Sequence, residues 1–136
     1  GLTPVHFISL RLHQNGKLVS QNFYWRGLEA NNFRALRELP KVELSATSKI
    51  ERQGDRWKLI TTLANNAARP ALMVRLKAVR ETTGDRLLPA LYSDNYIALM
   101  PGEQRTIETE INHADTRGEK PAIEVEAFNS GTFRSR

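Results

Sequence analysis

Apolar and polar residues alternate with a period of two along most of this chain, a pattern that places one face of an extended strand in a core and the other in water. Ile8, Leu10 and Leu12 form one such face, opposite Ser9, Arg11 and His13, and a second run follows from Lys17 to Trp25. Asn15-Gly16 lies between the two runs. Both central residues of a type I′ turn need positive φ, so this dipeptide predicts a β-hairpin. Further runs are built on Val42, Leu44, Ala46 and Ile50; on Trp57, Leu59, Thr61 and Leu63; and on Leu72, Val74, Leu76 and Ala78. Ile107, Thr109 and Ile111 alternate with Glu108 and Glu110, and Ile123, Val125 and Ala127 with Glu124 and Glu126. Breaks near Gly54, Gly84, Gly102 and Gly118 separate these runs at the spacing of an all-β sandwich or barrel.

Two turns and one connector refine this reading. In Met100-Pro101-Gly102-Glu103, proline presets φ at the second position and glycine accepts positive φ at the third, which predicts a type II turn. Pro89 cannot donate to a strand ladder, so the strand around Leu87 to Tyr92 belongs at a sheet edge or carries a bulge. Between Arg26 and Pro40, Asn31-Asn32 can cap a short helix with Phe33, Leu36 and Leu39 on one face, and Pro40 ends it. The expected organisation is a hairpin over residues 1–25, a helical connector over 26–40, a sandwich over 41–130 and a tail over 131–136.

Composition narrows the chemistry. The 136 residues contain no cysteine, so disulfides, thiolate metal sites and cysteine nucleophiles are excluded, while the compartment stays open. The longest apolar runs, Pro70 to Val74 and Ile97 to Pro101, fall far short of the roughly 20 residues of a membrane-spanning helix. Twenty Lys and Arg face fifteen Asp and Glu. They are interleaved rather than clustered, which describes a mixed solvated surface and not a nucleic-acid groove. The start, Gly1-Leu2-Thr3-Pro4, has neither an initiator Met nor a leader-like segment and reads as the end of an excised fragment.

His6, His13 and His113 show neither helical metal-pair spacing nor a carboxylate-rich context, so no metal is expected. Glu108 with Glu110, and Glu124 with Glu126, place carboxylates about 7 Å apart on a strand face, but strand exteriors are commonly Glu-rich and nothing nearby raises one pKa above the other. No phosphate loop or nucleophile elbow is present, and no cofactor is expected. The aromatic residues stand out instead: Phe23, Tyr24 and Trp25 end the hairpin, Trp57 begins a strand, and Tyr92 and Tyr96 flank Ser93-Asp94-Asn95. Tyr24, Trp25, Trp57, Tyr92, Asp94, Asn95 and Tyr96 are the candidates for contact with another domain or with sugar. Asp94 and Asn95 can also accept local N–H groups in an Asx-type turn.

Four segments carry a family resemblance: Gly16 to Trp25 (GKLVSQNFYW), Leu63 to Asn66 (LANN), Leu88 to Glu103 (LPALYSDNYIALMPGE) and Val125 to Asn129 (VEAFN). Together they resemble the C-terminal immunoglobulin-like region of glycoside hydrolase family 2 enzymes, in the branch of exo-β-D-glucosaminidases and glycoprotein endo-β-mannosidases. The resemblance implies an immunoglobulin-like antiparallel β-sandwich over residues 41–130, and a hairpin that closes a preceding sandwich domain. It implies a parent with a jelly-roll domain, sandwich modules and a (β/α)₈ barrel holding two catalytic glutamates, in a periplasmic or secreted setting. No catalytic residue transfers to any position here, and the connector after Trp25 is shorter than the family pattern, so the parent's sugar specificity does not transfer. The expected role is a non-catalytic module that supports the barrel, with the other domains of the parent as partners. The alternative is a free-standing carbohydrate-binding module stacking sugar on Trp25, Trp57 or Tyr96.

Overall fold

A computed structural model describes all residues, 1–136. The chain forms two compact units, Gly1–Leu39 and Pro40–Arg136.

In the first unit, β1 (Val5–Gln14) and β2 (Lys17–Gly27) make a two-stranded antiparallel sheet. Asn15 and Gly16 have φ of 51° and 76°, the left-handed pair that a type I′ turn demands. Phe7, directly opposite Trp25, stacks on Phe23 (5.6 Å between centroids) and meets Trp25 edge-on (6.1 Å). The opposite face carries Ile8, Leu10, Leu12 and Tyr24, all exposed. The connector differs from a capped α-helix. It is a 3₁₀ turn over Arg34–Glu38 that starts at Phe33, and Asn32 Oδ1 accepts from the Arg34 N–H (3.3 Å). Leu36 is buried while Phe33 stays exposed, and Leu39 turns extended, as a residue before proline must.

The second unit is a sandwich of two four-stranded antiparallel sheets. One has the order β3 (Leu44–Gln53), β4 (Arg56–Asn65), β8 (Gln104–Asn112), β6 (Ala90–Tyr92). The other has the order β10 (Ser130–Arg134), β9 (Pro121–Ala127), β5 (Ala71–Arg80), β7 (Ile97–Leu99). Inward positions follow the period of two: Leu59 and Leu63 of β4 and Ile107 and Ile111 of β8 face Val74 and Leu76 of β5 and Ile123 and Val125 of β9 in one apolar core. Pro89 precedes β6, which occupies a sheet edge, where a missing N–H costs no ladder bond. Gly102 has φ of 75° and Glu103 N–H donates to Met100 O (3.0 Å), as a type II turn requires.

The C-terminal residues 131–136 are not a tail. Strand β10 pairs with β9, and the chain then crosses to the other sheet: Ser48 N–H donates to Arg136 O (2.7 Å), Arg136 N–H donates to Ala46 O (3.0 Å), and Ser48 Oγ donates to Ser135 Oγ (2.7 Å). This covers the free edge of β3, which otherwise offers unpaired backbone groups. The segment Gly131-Thr132-Phe133-Arg134 lacks a strong apolar alternation, so its strand state comes from the edge it meets.

Asparagine side chains hold the strand ends. Asn129, nearly buried at 5% exposure, accepts from Leu72 N–H (3.1 Å) and donates to Pro40 O and Pro70 O (both 2.9 Å). Asn65, fully buried, donates to Arg69 O (2.8 Å) and Leu99 O (2.9 Å) and accepts from Ala67 N–H (3.0 Å). Replacing Asn129 with Ala leaves a buried donor and two proline carbonyls without partners. Urea unfolding is expected to show a loss of about 2–3 kcal/mol; a loss below about 0.5 kcal/mol contradicts the role given to this amide.

Candidate functional site

The candidate residues separate into supports and surface. Trp57 is half-buried against the core, and its indole N–H donates to His113 Nδ1 (3.1 Å), so its polar tip is already used. Trp25 is half-buried against Phe7, whereas Tyr24 is exposed on the other face of the hairpin. Tyr92, on β6, bridges the two sheets: its hydroxyl oxygen accepts from Ala78 N–H on β5 (2.8 Å). Asp94 Oδ1 accepts from Asn95 N–H (2.8 Å), the local turn expected of it, and Asp94 lies 3.6 Å from Arg105. Asn95 reaches further than a local turn, accepting from Leu76 N–H (2.8 Å) and donating to Leu76 O (3.0 Å). Its amide thus replaces the neighbouring strand that β7 is too short to provide.

Tyr92, Asp94, Asn95 and Tyr96 come together on the wall of one shallow concavity, with Arg75, Arg86 and Leu91. Tyr96 is 57% exposed, and the Arg75 guanidinium lies over its ring at 5.5 Å from the centroid. A second concavity shares Arg75 and Tyr96 and adds Met73, Glu126 and Phe128. Met73 occupies the register shift between β5 and β7 and has φ of 51°, and Tyr96 has φ of 53°. Left-handed backbone at a non-glycine residue costs about 1 kcal/mol or more, and here it holds two large side chains toward solvent. Sequence reasoning misses Met73 and Phe128; the available signal is an apolar residue out of step with the inward-facing Val74 on β5, and another just past the end of β9.

The paired carboxylates are engaged in ion pairs on the strand exteriors. Glu108 meets Lys58 (2.8 Å) and Glu110 meets Arg56 (3.0 Å). Lys77 contacts Glu124 and also Glu126 (3.0 Å), and Glu126 meets Arg75 (3.1 Å). Hydrogen bonding from Lys77 holds the Glu126 carboxyl below its ordinary 4.5, and Glu124 in turn raises Lys77 above its ordinary 10.5. A general acid of a glycosidase needs the opposite, a carboxyl raised toward neutrality. No three His, Asp or Glu side chains converge as a metal site would require.

This architecture, two antiparallel sheets with a surface of aromatic and arginine side chains, is that of an immunoglobulin-like β-sandwich module. A family model described as the exo-β-D-glucosaminidase Ig-fold domain matches residues 22–130, and the chain belongs to that family. It is 27% identical to an exo-β-D-glucosaminidase of Amycolatopsis orientalis, in an alignment covering 87% of this chain and 13% of that protein. It is 24% identical to a mannosylglycoprotein endo-β-mannosidase of Lilium longiflorum, covering 93% and 19%. The crystal structure of the Amycolatopsis orientalis exo-chitosanase CsxA superimposes with a TM-score of 0.92 at 27% identity, over 98% of this chain and 18% of that one. The chain therefore spans less than a fifth of the length of these relatives.

Two measurements test the geometry. Tyr92→Phe strips the acceptor from Ala78 N–H and is expected to cost about 1–2 kcal/mol in urea unfolding; wild-type stability contradicts the bridge. A carboxyl with a lowered pKa stabilises the fold above its unfolded value, and this contribution is lost as pH falls below 4.5 through the folded pKa. A lysine with a raised pKa contributes below 10.5, and its share is lost as pH rises through the folded value. Lys77→Met is expected to flatten both limbs of the stability-versus-pH curve, and slopes equal to wild type in both limbs count against the ion-pair account.

Proposed function

We propose that this chain is a supporting, non-catalytic immunoglobulin-like module of a larger retaining β-glycosidase of the exo-β-glucosaminidase or β-mannosidase type. The observation that carries the reading is the match to the glucosaminidase structure, which takes in nearly all of this chain and under a fifth of the other. The ion pairs of the strand carboxylates support it, because Glu108, Glu110, Glu124 and Glu126 are each engaged by a Lys or Arg rather than standing free as nucleophiles. In this reading residues 41–136 belong to the module, the connector with its 3₁₀ turn covers 28–40, and the hairpin, whose second strand runs to Gly27, ends a preceding sandwich domain. The exposed apolar row of Ile8, Leu10, Leu12 and Tyr24 supports that last assignment, since a lone hairpin is at best marginally stable in water. Partners are then the other domains of the parent, with the barrel supplying the chemistry.

The purified chain is expected to leave p-nitrophenyl β-D-glucosaminide and β-mannoside intact, with release of nitrophenol no faster than in buffer. Calorimetry with chitosan and mannan oligosaccharides is expected to show no heat of binding. Turnover abolished by Glu108→Gln or Glu124→Gln would sink the supporting role, and sugar binding lost on Tyr96→Asn would favour the free-standing sugar-binding module instead.

A further inference from the structure

The sandwich flank around Tyr96 exposes large apolar side chains beside an arginine. Met73, Tyr96 and Phe128 are 45%, 57% and 51% exposed, and they border the same concavity as Arg75. Methionine, aromatic residues and arginine are the types enriched where protein surfaces meet, and here Met73 and Arg75 of β5 stand beside Tyr96, just before β7, and Phe128, just after β9. Strain sharpens the point. Both Met73 and Tyr96 are held outward by left-handed backbone, a conformation that persists only where the surroundings enforce it.

Charge on this flank is uneven in a way that describes the occupant. The Arg75 guanidinium is shared between Tyr96 and Glu126, and Lys77 is saturated by Glu124 and Glu126. Arg86, on the wall of the adjoining concavity, is exposed and has no ion pair or side-chain hydrogen bond. An apolar surface with one unspent cation at its border complements a protein surface that offers an apolar projection flanked by a carboxylate. Sugar fits less well, because the Arg75 guanidinium already lies over the Tyr96 ring and the neighbouring Met73 and Phe128 offer no hydrogen bonds to hydroxyl groups.

We propose that the flank formed by Met73, Arg75, Arg86, Tyr96 and Phe128 is the surface on which this module docks to another domain of its own polypeptide, through an apolar side chain seated between Met73, Tyr96 and Phe128 and a carboxylate on Arg86. This rests on the reading of the chain as one module of a larger glycosidase, and it adds the face and the chemistry of the contact.

The test uses the full translation product of the gene. Tyr96→p-benzoylphenylalanine is expected to give, on irradiation, an intramolecular cross-link to an apolar segment next to Asp or Glu, identified by peptide mass spectrometry. The same group at Thr47, exposed on β3, is expected to give none. Arg86→Glu in the Tyr96 cross-linking protein is expected to lower the yield several-fold. Cross-links to a second copy or to a different protein, or none at all, overturn the docking surface; a yield unaffected by Arg86→Glu overturns its carboxylate partner. Glycosidase activity of the same product separates the two readings: an active product without the cross-link removes only this inference, and a cross-linked product without activity removes the glycosidase reading.

Discussion

Three asparagine side chains do the work of missing strands. Strand β7, the neighbour of β5 on its outer side, is only three residues long, so that edge of β5 would carry unpaired N–H and C=O groups in a largely buried place. Asn95 meets both polar groups of Leu76 as a neighbouring strand would, and Tyr92 accepts from Ala78 two residues on. Asn129 fixes the start of β5 to the first residue of the unit, and Asn65 ties the end of β4 to β7. A primary amide suits this task because it presents a donor and an acceptor side by side, with the polarity of a peptide group. The apolar core supplies most of the driving force, but buried backbone groups left unmet would offset much of it.

These same amides explain the segments that carry the family resemblance. Asn65, Asn95 and Asn129 each lie in one of the quoted segments, and each has partners far away in the chain. A staple must satisfy several fixed partners at once, so its position admits few residue types, whereas core positions accept any apolar residue of suitable volume. The surface around Tyr96 has a different logic: the Met73, Tyr96 and Phe128 side chains stand about half exposed, and Met73 and Tyr96 bear backbone strain. That contrast separates what holds the sandwich together from what it exposes to solvent.

The exterior of the sheets shows why rows of glutamate are a poor guide to catalysis. Alternation puts every second side chain in water, and cross-strand neighbours about 5 Å away supply the cations that pair with them. Lys77 stands directly opposite Glu124 in the register, while its contact with Glu126 and that of Lys58 with Glu108 are diagonal, within reach of a long side chain. For Glu126 the hydrogen bond from Lys77 favours the ionised carboxylate, which suits a solvated sheet face and is the opposite of what a glycosidase acid needs.

Local chemistry determined much of this protein before any folding was considered. The period of two selected strands and assigned Leu59, Leu63, Ile107, Ile111, Ile123 and Val125 to the core, because side-chain direction in a strand depends only on parity. Asn15-Gly16 and Pro101-Gly102 determined their turns because φ preference is a property of the residues themselves. Tertiary structure decided the rest: that residues 131–136 close the edge of β3, that Trp57 is occupied by His113, that Asn95 serves β5, and that Met73, Arg75, Tyr96 and Phe128 meet on one flank. Those outcomes depend on which strands lie side by side, and partners 19 to 90 positions apart in the chain leave no periodic mark on the sequence.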